Sequence, residues 1–203
     1  MGPEITHAIC EVAVARILAH ADELTTLDQA IGDGDHGINM RRGFEAIAAQ
    51  AEELAGLPVG QALQKAGMTL VMKVGGASGP LYGSLFMAMG KAMPADPVSR
   101  EGFVASLAEG IEAVKKRGKS EAGEKTMLDV LVPVLEAVTA NSADPLDAAR
   151  AAAAQGLAAT RDMQATKGRA SFLGERSIGH VDPGARSSAL LVEAVCDVLG
   201  GKT

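Results

Sequence analysis

Apolar residues recur every three or four positions along most of this chain, and no segment alternates convincingly between apolar and polar residues as a half-buried strand does. One such series is Val104, Leu107, Ala108 and Ile111. Each series places an apolar stripe on one side of a helix, and that stripe has to be buried against other helices. The pattern predicts an all-α fold. We predict eight helices, near residues 5–26, 37–55, 59–73, 79–93, 99–117, 126–140, 145–163 and 185–199.

The core of such a fold has to be aliphatic, because the 203 residues include only four Phe, one Tyr and no Trp. Ala and Met favour closely packed helices. No linker rich in Pro, Gly or Ser divides the chain, so we predict a single domain over residues 1–203. Cys10 and Cys196 fall in predicted helices and are expected to be buried core residues of a cytoplasmic protein, while a disulfide between them stays open.

Charge and hydropathy argue against two classes of partner. A net charge of −6 disfavours nucleic acid. The first residues include Glu4, His7 and Glu11, so they do not form a signal peptide, and no apolar run approaches the length of a membrane span. We expect neither nucleic acid nor a membrane as a partner.

Three aspartates, Asp28, Asp33 and Asp35, lie in one short glycine-rich segment. Their spacing fits neither a helix face nor a strand. Three carboxylates on one turn repel one another unless a cation lies between them, and Mg²⁺ prefers oxygen ligands. We interpret them as a magnesium–nucleotide site; the alternative is a solvated turn between two helices. An EF-hand fits poorly, because Phe44 or Asn39 stands where its closing Glu would be.

Two further glycine-rich segments are candidates for binding phosphate. Gly75–Gly83 runs into a predicted helix. Its backbone N–H groups could bind a phosphate, or its glycines could instead allow two helices to cross closely. Gly168–Gly184 carries Arg169 and Arg176, which suit either phosphate or surface ion pairs. His36 could contact a phosphate, act as an acid or base, or itself carry a phosphoryl group, or it could be a histidine held by a neighbouring carboxylate.

Local start signals predict where two helices begin. Thr126 with Asp129 fits a capping box, and Asp144 before Pro145 fits an N-cap followed by a proline in the first turn.

Four segments in this order resemble the nucleotide-binding L subunit of bacterial, phosphotransferase-system-linked dihydroxyacetone kinases. They are Asp28 with Gly32–Gly37, then Gly75–Gly83, then Gly123–Asp129, and finally Gly168–Ser177 with Asp182–Gly184. The resemblance implies that eight antiparallel amphipathic helices close into a barrel with the nucleotide at one end.

The resemblance also implies a set of site residues. Asp28, Asp33 and Asp35 would hold two Mg²⁺ ions, and Arg169 would be the catalytic residue that adds positive charge. The residues implied to bind ADP or ATP are His36, Gly37, Ile38, Asn39, Ala77, Ser78, Gly118, Thr126, Met127, Arg169, Asp182, Pro183 and Gly184.

The function implied by the resemblance is that of a phosphotransferase subunit. It would work with a K subunit that binds dihydroxyacetone and with a phosphoryl-donor protein that draws on phosphoenolpyruvate, and the phosphoryl group would pass through bound ADP. Two alternatives remain: an ATP-dependent kinase subunit for dihydroxyacetone or another short ketose such as erythrulose, and a non-catalytic nucleotide-sensing regulator. Whether the chain forms a homodimer stays open.

Overall fold

The computed structural model describes residues 2–94, 99–140 and 142–202. Met1 and Thr203, the ends of the predicted domain, lie outside these ranges. The described residues form ten α-helices, one 3-10 segment and no strand. The helices are α1 (Pro3–Ala19), α2 (Ala21–Ile31), α3 (His36–Ala48), α4 (Ala51–Ala55), α5 (Val59–Lys73), α6 (Ser78–Ala92), α7 (Arg100–Gly118), α8 (Leu128–Thr139), α9 (Pro145–Ala159) and α10 (Pro183–Leu199), and the 3-10 segment is Arg169–Ser177.

Eight of the described helices form a closed ring. Each packs on the next in the order α1, α3, α5, α6, α7, α8, α9 and α10, and α10 packs again on α1. Short connections between consecutive helices favour antiparallel neighbours. The remaining two helices pack on ring members, α2 on α3 and α10, and α4 on α1 and α5. The predicted all-α barrel is confirmed.

Two predicted helices are interrupted in the structure. The helix expected over residues 5–26 breaks at His20 (φ −105°, ψ 8°), and the one expected over residues 37–55 breaks at Gln50 (φ −116°, ψ 9°). The prediction of unbroken helices is wrong here, because apolar spacing continues across so short a break. The break at His20 creates α2, which ends at the aspartate-rich turn.

The core is aliphatic, as predicted, and it surrounds a cavity. Phe44 and Tyr82 are the largest fully buried side chains. An apolar cavity of about 510 Å³ lies within the ring, and every ring helix contributes to its lining. Examples, one from each ring helix, are Ile9, Phe44, Ala62, Leu85, Leu107, Val134, Ala149 and Val195.

Both cysteines are free thiols. Cys196 is buried and Cys10 is half-buried, so the predicted core location holds and the disulfide that was left open does not form. Among the described residues, no helix combines the length and the apolar character that crossing a bilayer requires.

Glycines allow α5 and α6 to approach backbone to backbone. A Cβ added at Gly67 would lie 2.9 Å from the carbonyl oxygen of Gly83, and one added at Gly83 would lie 2.9 Å from that of Gly67. Gly60 and Gly90 oppose each other in the same way, at 2.7 and 2.4 Å. The glycine-rich segment that ends at Gly83 therefore contributes to a close helix crossing.

The predicted helix-start signals are confirmed. The carboxylate of Asp144 accepts hydrogen bonds from two backbone N–H groups in the first turn of α9. The N–H of Thr126 donates to the carboxylate of Asp129 at 2.6 Å, and the Thr126 hydroxyl accepts from the N–H of Leu128 at 3.2 Å. Local side chains thus satisfy N–H groups that a helix start leaves unpaired.

Asp182 caps α10 in the same way, but from a buried position. Its carboxylate accepts a hydrogen bond from the N–H of Ala185 at 2.7 Å. Burial raises the pKa of Asp182 to about 7, and the negative charge of Asp129 adds to this effect. The cap's N–H donors and the charge of Lys125 favour the ionised carboxylate and oppose the shift.

We predict that Asp182→Asn flattens the pH dependence of stability between about pH 4 and pH 7. Over this range the folded wild type holds a proton on Asp182 that the unfolded chain releases, so this group makes unfolding easier as pH rises. Asn still accepts from Ala185 but cannot ionise. The stability of the variant relative to wild type should therefore rise with pH, by up to about 1.4 kcal/mol per pH unit.

The measurement is urea denaturation from pH 4 to pH 8. Asp144→Asn is the matched control, because it changes an exposed N-cap aspartate that also precedes a proline. The rise in relative stability with pH should be specific to the Asp182 variant. A constant stability difference between Asp182→Asn and wild type at every pH would contradict the prediction.

Candidate metal and nucleotide site

The three aspartates converge where α2 ends and α3 begins. One carboxylate oxygen from each of Asp28, Asp33 and Asp35 lies within 4.8 Å of the others. Asp28 is buried in the last turn of α2, whereas Asp33 is exposed. Gly34, with φ +75°, supplies the left-handed backbone that the turn requires. The structure therefore brings the predicted metal ligands together, in the oxygen-only arrangement that suits Mg²⁺.

Asp28 also builds the turn. Its Oδ2 accepts hydrogen bonds from the N–H groups of Asp35 at 2.8 Å and His36 at 3.0 Å. Its Oδ1 lies over Gly32, where an added Cβ would approach within 2.0 Å. Gly32 is thus needed for close approach, and one oxygen of Asp28 remains outside these backbone bonds.

Arg169 brings positive charge to the carboxylates. Its Nε lies 2.9 Å from Oδ2 of Asp33, and its side chain is 71% exposed. Arg169 begins the 3-10 segment, which packs against α2. A pocket of about 300 Å³ lies between these elements, lined in part by Asp33, Arg169 and Phe172.

The glycine-rich loop between α5 and α6 lies against the aspartates. A Cβ added at Gly76 (φ +63°) would be 4.0 Å from both carboxylate oxygens of Asp35. A Cβ at Gly75 would be 2.6 Å from Oδ1 of Asn39. The loop therefore contacts the first turn of α3, and the following Ser78 begins α6.

His36 connects the starts of three helices. Its Nδ1 lies 2.9 Å from the hydroxyl of Ser78, the first residue of α6. Its Nε2 lies 2.9 Å from the hydroxyl of Ser187, in α10. His36 itself begins α3. Helix N-termini carry partial positive charge and free N–H groups, so their convergence beside three carboxylates suits a metal-bound phosphate.

The His36 side chain is buried rather than open to solvent. Burial lowers its pKa, although the charges of Asp28 and Asp35 favour the protonated ring. The hydrogen bonds continue from Ser187 to the Tyr82 hydroxyl at 2.7 Å. Both ring nitrogens thus have hydroxyl partners, so the ring is held by Ser78 and Ser187 and not by the neighbouring carboxylate that the alternative interpretation named. Ser78 lies between the ring and the loop.

The other predicted nucleotide-binding residues lie at the same end of the barrel. A Cβ at Gly118 would be 3.3 Å from Leu81 of α6, and one at Gly184 would be 3.7 Å from the backbone N of Met127. Ile38 in the first turn of α3 is 59% exposed. The end of α7 therefore contacts the first turn of α6, and the start of α10 contacts the residue that precedes α8.

Sequence reasoning missed two residues that organise this end. Ser187 binds the imidazole of His36 from α10, and Lys125 is buried between two loops, where its Nζ donates to three backbone carbonyl groups. No spacing marks Ser187. Lys125 stands in Gly123–Asp129, and its position beside a capping residue is the only available signal.

Comparisons with known proteins show the family of this chain. The model of the family described as the DAK2 domain matches residues 30–197. The ADP-binding subunit of PEP-dependent dihydroxyacetone kinase 1 from Listeria innocua is 51% identical over 180 residues, covering 89% of this chain and 88% of that protein. The ADP-binding subunit of the PEP-dependent dihydroxyacetone kinase from Escherichia coli is 43% identical over 180 residues, covering 85% and 86% respectively.

A solved structure shares the fold. The crystal structure of the dihydroxyacetone kinase from C. freundii in complex with AMP-PNP and Mg²⁺ superposes with a TM-score of 0.74 at 26% identity. The match covers 96% of this chain and 34% of that one. With the family model matching most of its length, this chain belongs to the DAK2 domain family.

Proposed function

We propose that this chain is the ADP-binding subunit of a phosphoenolpyruvate-dependent dihydroxyacetone kinase. The observation that carries the proposal is the cluster of three carboxylates beside the converging starts of α3, α6 and α10. Phosphoryl transfer depends on positioning and charge neutralisation, which this arrangement provides. The L. innocua and E. coli relatives, both ADP-binding subunits of such kinases, support the same assignment.

Asp28, Asp33 and Asp35 would hold two Mg²⁺ ions. Bound ADP would carry the phosphoryl group from a donor protein to dihydroxyacetone on a partner subunit. This chain's own part is to hold the nucleotide and to orient its phosphates. Backbone N–H groups at Ala77 and Ser78 would bind phosphate oxygens. Arg169 would add positive charge from the side of Asp33, where its guanidinium already lies.

The remaining proposed nucleotide contacts surround this centre. His36, Gly37, Ile38 and Asn39 would line the phosphate side from the first turn of α3. The base and ribose would lie nearer the end of α7 and the starts of α8 and α10. The residues proposed there are Gly118, Thr126, Met127, Asp182, Pro183 and Gly184. Because α10 closes the ring on α1, we propose that residues 1–203 act as one nucleotide-binding domain.

The proposed partner subunit would cover the exposed side of the site. Ile38 and Phe172 are 59% and 87% exposed. Ile38 follows Asp35 by three residues in the first turn of α3, and Phe172 lines the pocket with Asp33 and Arg169. Apolar side chains around a charged centre suit a surface that is covered when the acceptor arrives.

We place this reaction in the cytoplasm, since the thiols of Cys10 and Cys196 are free and a reducing compartment keeps them so.

The first test is the nucleotide content of the purified protein, measured by acid release and chromatography after desalting in the presence of Mg²⁺. We expect about one ADP per chain, because a bound carrier of phosphoryl groups is not exchanged with solvent. An empty protein that binds added ATP would instead favour the ATP-dependent kinase. Binding of neither nucleotide would contradict the proposed function.

We predict that Asp35→Asn weakens ADP binding in the presence of Mg²⁺ by at least about tenfold, or ~1.4 kcal/mol. Asn keeps the shape of the side chain and the backbone N–H that bonds Asp28, but it removes one negative charge from the metal site. Titration calorimetry measures the change. Asp22→Asn is the control, because the Asp22 side chain is 95% exposed and pairs with Arg41; equal affinities in all three proteins would exclude Asp35 as a ligand.

We predict that His36→Gln weakens ADP binding more than His36→Asn does. An Asn amide reaches the position of Nδ1, which bonds Ser78, whereas a Gln amide reaches that of Nε2, which bonds Ser187. If His36 acts by holding the phosphate-loop serine, the Asn variant should lose about threefold and the Gln variant about tenfold. The opposite order would assign His36 to support of α10 instead. Circular dichroism checks that both variants fold.

A further inference from the structure

Lys125 is an enclosed charged side chain to which the proposed nucleotide and metal contacts assign no role. Only 1% of the residue's surface is exposed. Its Nζ donates hydrogen bonds to the carbonyl oxygens of Thr160 at 2.6 Å, Met163 at 3.1 Å and His180 at 2.5 Å. All three N–H donors of the ammonium are thus used on backbone oxygens.

The backbone of Lys125 is held in a conformation that few residues other than glycine adopt. Its φ is +61°, in the left-handed region. Such a conformation costs free energy and persists only where the surroundings enforce it. The three hydrogen bonds of the side chain enforce this conformation, because they fix the position of the residue.

The three carbonyl groups mark the two ends of one loop, residues 160–182. The ends are also joined by a hydrogen bond from the N–H of Gly179 to the carbonyl oxygen of Arg161 at 2.7 Å. A second runs from the N–H of Asp182 to the hydroxyl of Thr160 at 3.1 Å. The loop therefore has a narrow neck, and the ammonium of Lys125 fills it.

The neck is connected to Arg169 through the interior of the loop. The N–H of Ala165 donates to the hydroxyl of Ser177 at 2.9 Å, and that hydroxyl donates to the carbonyl oxygen of Gly174 at 2.7 Å. The first bond ties the residues that precede the 3-10 segment to its last residue, and the second lies within the segment that begins at Arg169. At the end of the loop that lies away from the neck, Nε of Arg169 lies 2.9 Å from Oδ2 of Asp33.

We propose that Lys125 is a positioning residue that holds the loop of residues 160–182 so that Arg169 stays over the aspartates. The ammonium suits this place because its donors point in three directions, whereas the planar guanidinium of Arg does not and Met has none. Lys125 also precedes Thr126 and Met127, so it links the base side of the site to Arg169. Only the role of Arg169 in phosphoryl transfer rests on the proposed function.

The first experiment tests the neck without any nucleotide or partner. Trypsin cleaves after Lys and Arg, and Arg169 and Arg176 are exposed in the loop. We expect the loop of residues 160–182 to be cleaved at least about tenfold faster in Lys125→Met than in wild type, at Arg169 and Arg176 and also at Arg161 and Lys167. Cleavage outside the loop should be unchanged, apart from the site lost at residue 125, as read by mass spectrometry of the full chain. Equal rates in the two proteins would overturn the proposal.

Glu124→Gln is the matched control. Glu124 joins the same two loops at the surface, through an ion pair with Lys167 at 3.5 Å. Both side chains of this pair are half-buried, and the Gln amide oxygen can still accept the hydrogen bond that Glu124 takes from the N–H of Glu121. Ion pairs near the surface contribute little, so this variant should be cleaved like wild type. If Lys125→Met does not fold by circular dichroism, Lys125→Gln, which retains two N–H donors, replaces it in the same assay and is judged by the same outcomes.

The second experiment asks whether Lys125 acts through Arg169. The rate of dihydroxyacetone phosphorylation, with partner subunit and donor present, is compared for Lys125→Met, Arg169→Ala and the double variant. We expect each single variant to lose about tenfold or more and the double variant to match Arg169→Ala within about twofold. Losses that multiply would assign Lys125 a general stabilising role and overturn the proposal. If wild type itself shows no transfer, the proposed function fails, and the trypsin result alone decides the role of Lys125.

Discussion

The hydrogen bonds that Asp28 accepts from the N–H groups of Asp35 and His36 hold this end of the molecule together. They join the last turn of α2 to the first turn of α3, and they stabilise a carboxylate in a place where two others add to the negative charge. Because α3 starts here, the bonds also set the position of the His36 ring between Ser78 and Ser187. The location of the turn that carries the three aspartates and the convergence of the helix starts thus have one physical cause.

The barrel is apolar over most of its interior and polar at one end. Tyr82, Ser187 and Ser188 are buried there with His36, and their polar atoms hydrogen-bond to one another or to backbone carbonyl groups. Buried polar groups are tolerated when they are paired, and paired networks fix a unique arrangement of the elements that carry them. The aliphatic part of the core has no such directional contacts. Order at the candidate site therefore depends on a few hydroxyl groups and one imidazole.

Features that depend on neighbours in the sequence were predictable, and those that depend on distant contacts were not. Apolar spacing predicted the ring helices, and Asp144 and Thr126 marked helix starts. The three aspartates were recognisable because they lie within eight residues of one another. Spacing gave no sign of the break at His20, where the apolar pattern continues unchanged. The partner of His36 lies 151 residues away, and His180 lies 55 residues from Lys125, so neither contact leaves a local pattern. Closure of the barrel likewise came from family resemblance.

The close crossing of α5 and α6 has a mechanical consequence. Gly60, Gly67, Gly83 and Gly90 bring the two backbones into contact along most of their length, and the side chains of Gln64, Val71 and Met87 pack closely against the same glycines. Densely packed interfaces of this kind transmit displacement rather than absorb it. The two helices therefore move as one rigid unit, with the loop before Ser78 at one end. A displacement of that loop by a fraction of an ångström would also displace the opposite end of the barrel, where Gly60 and Gly90 meet.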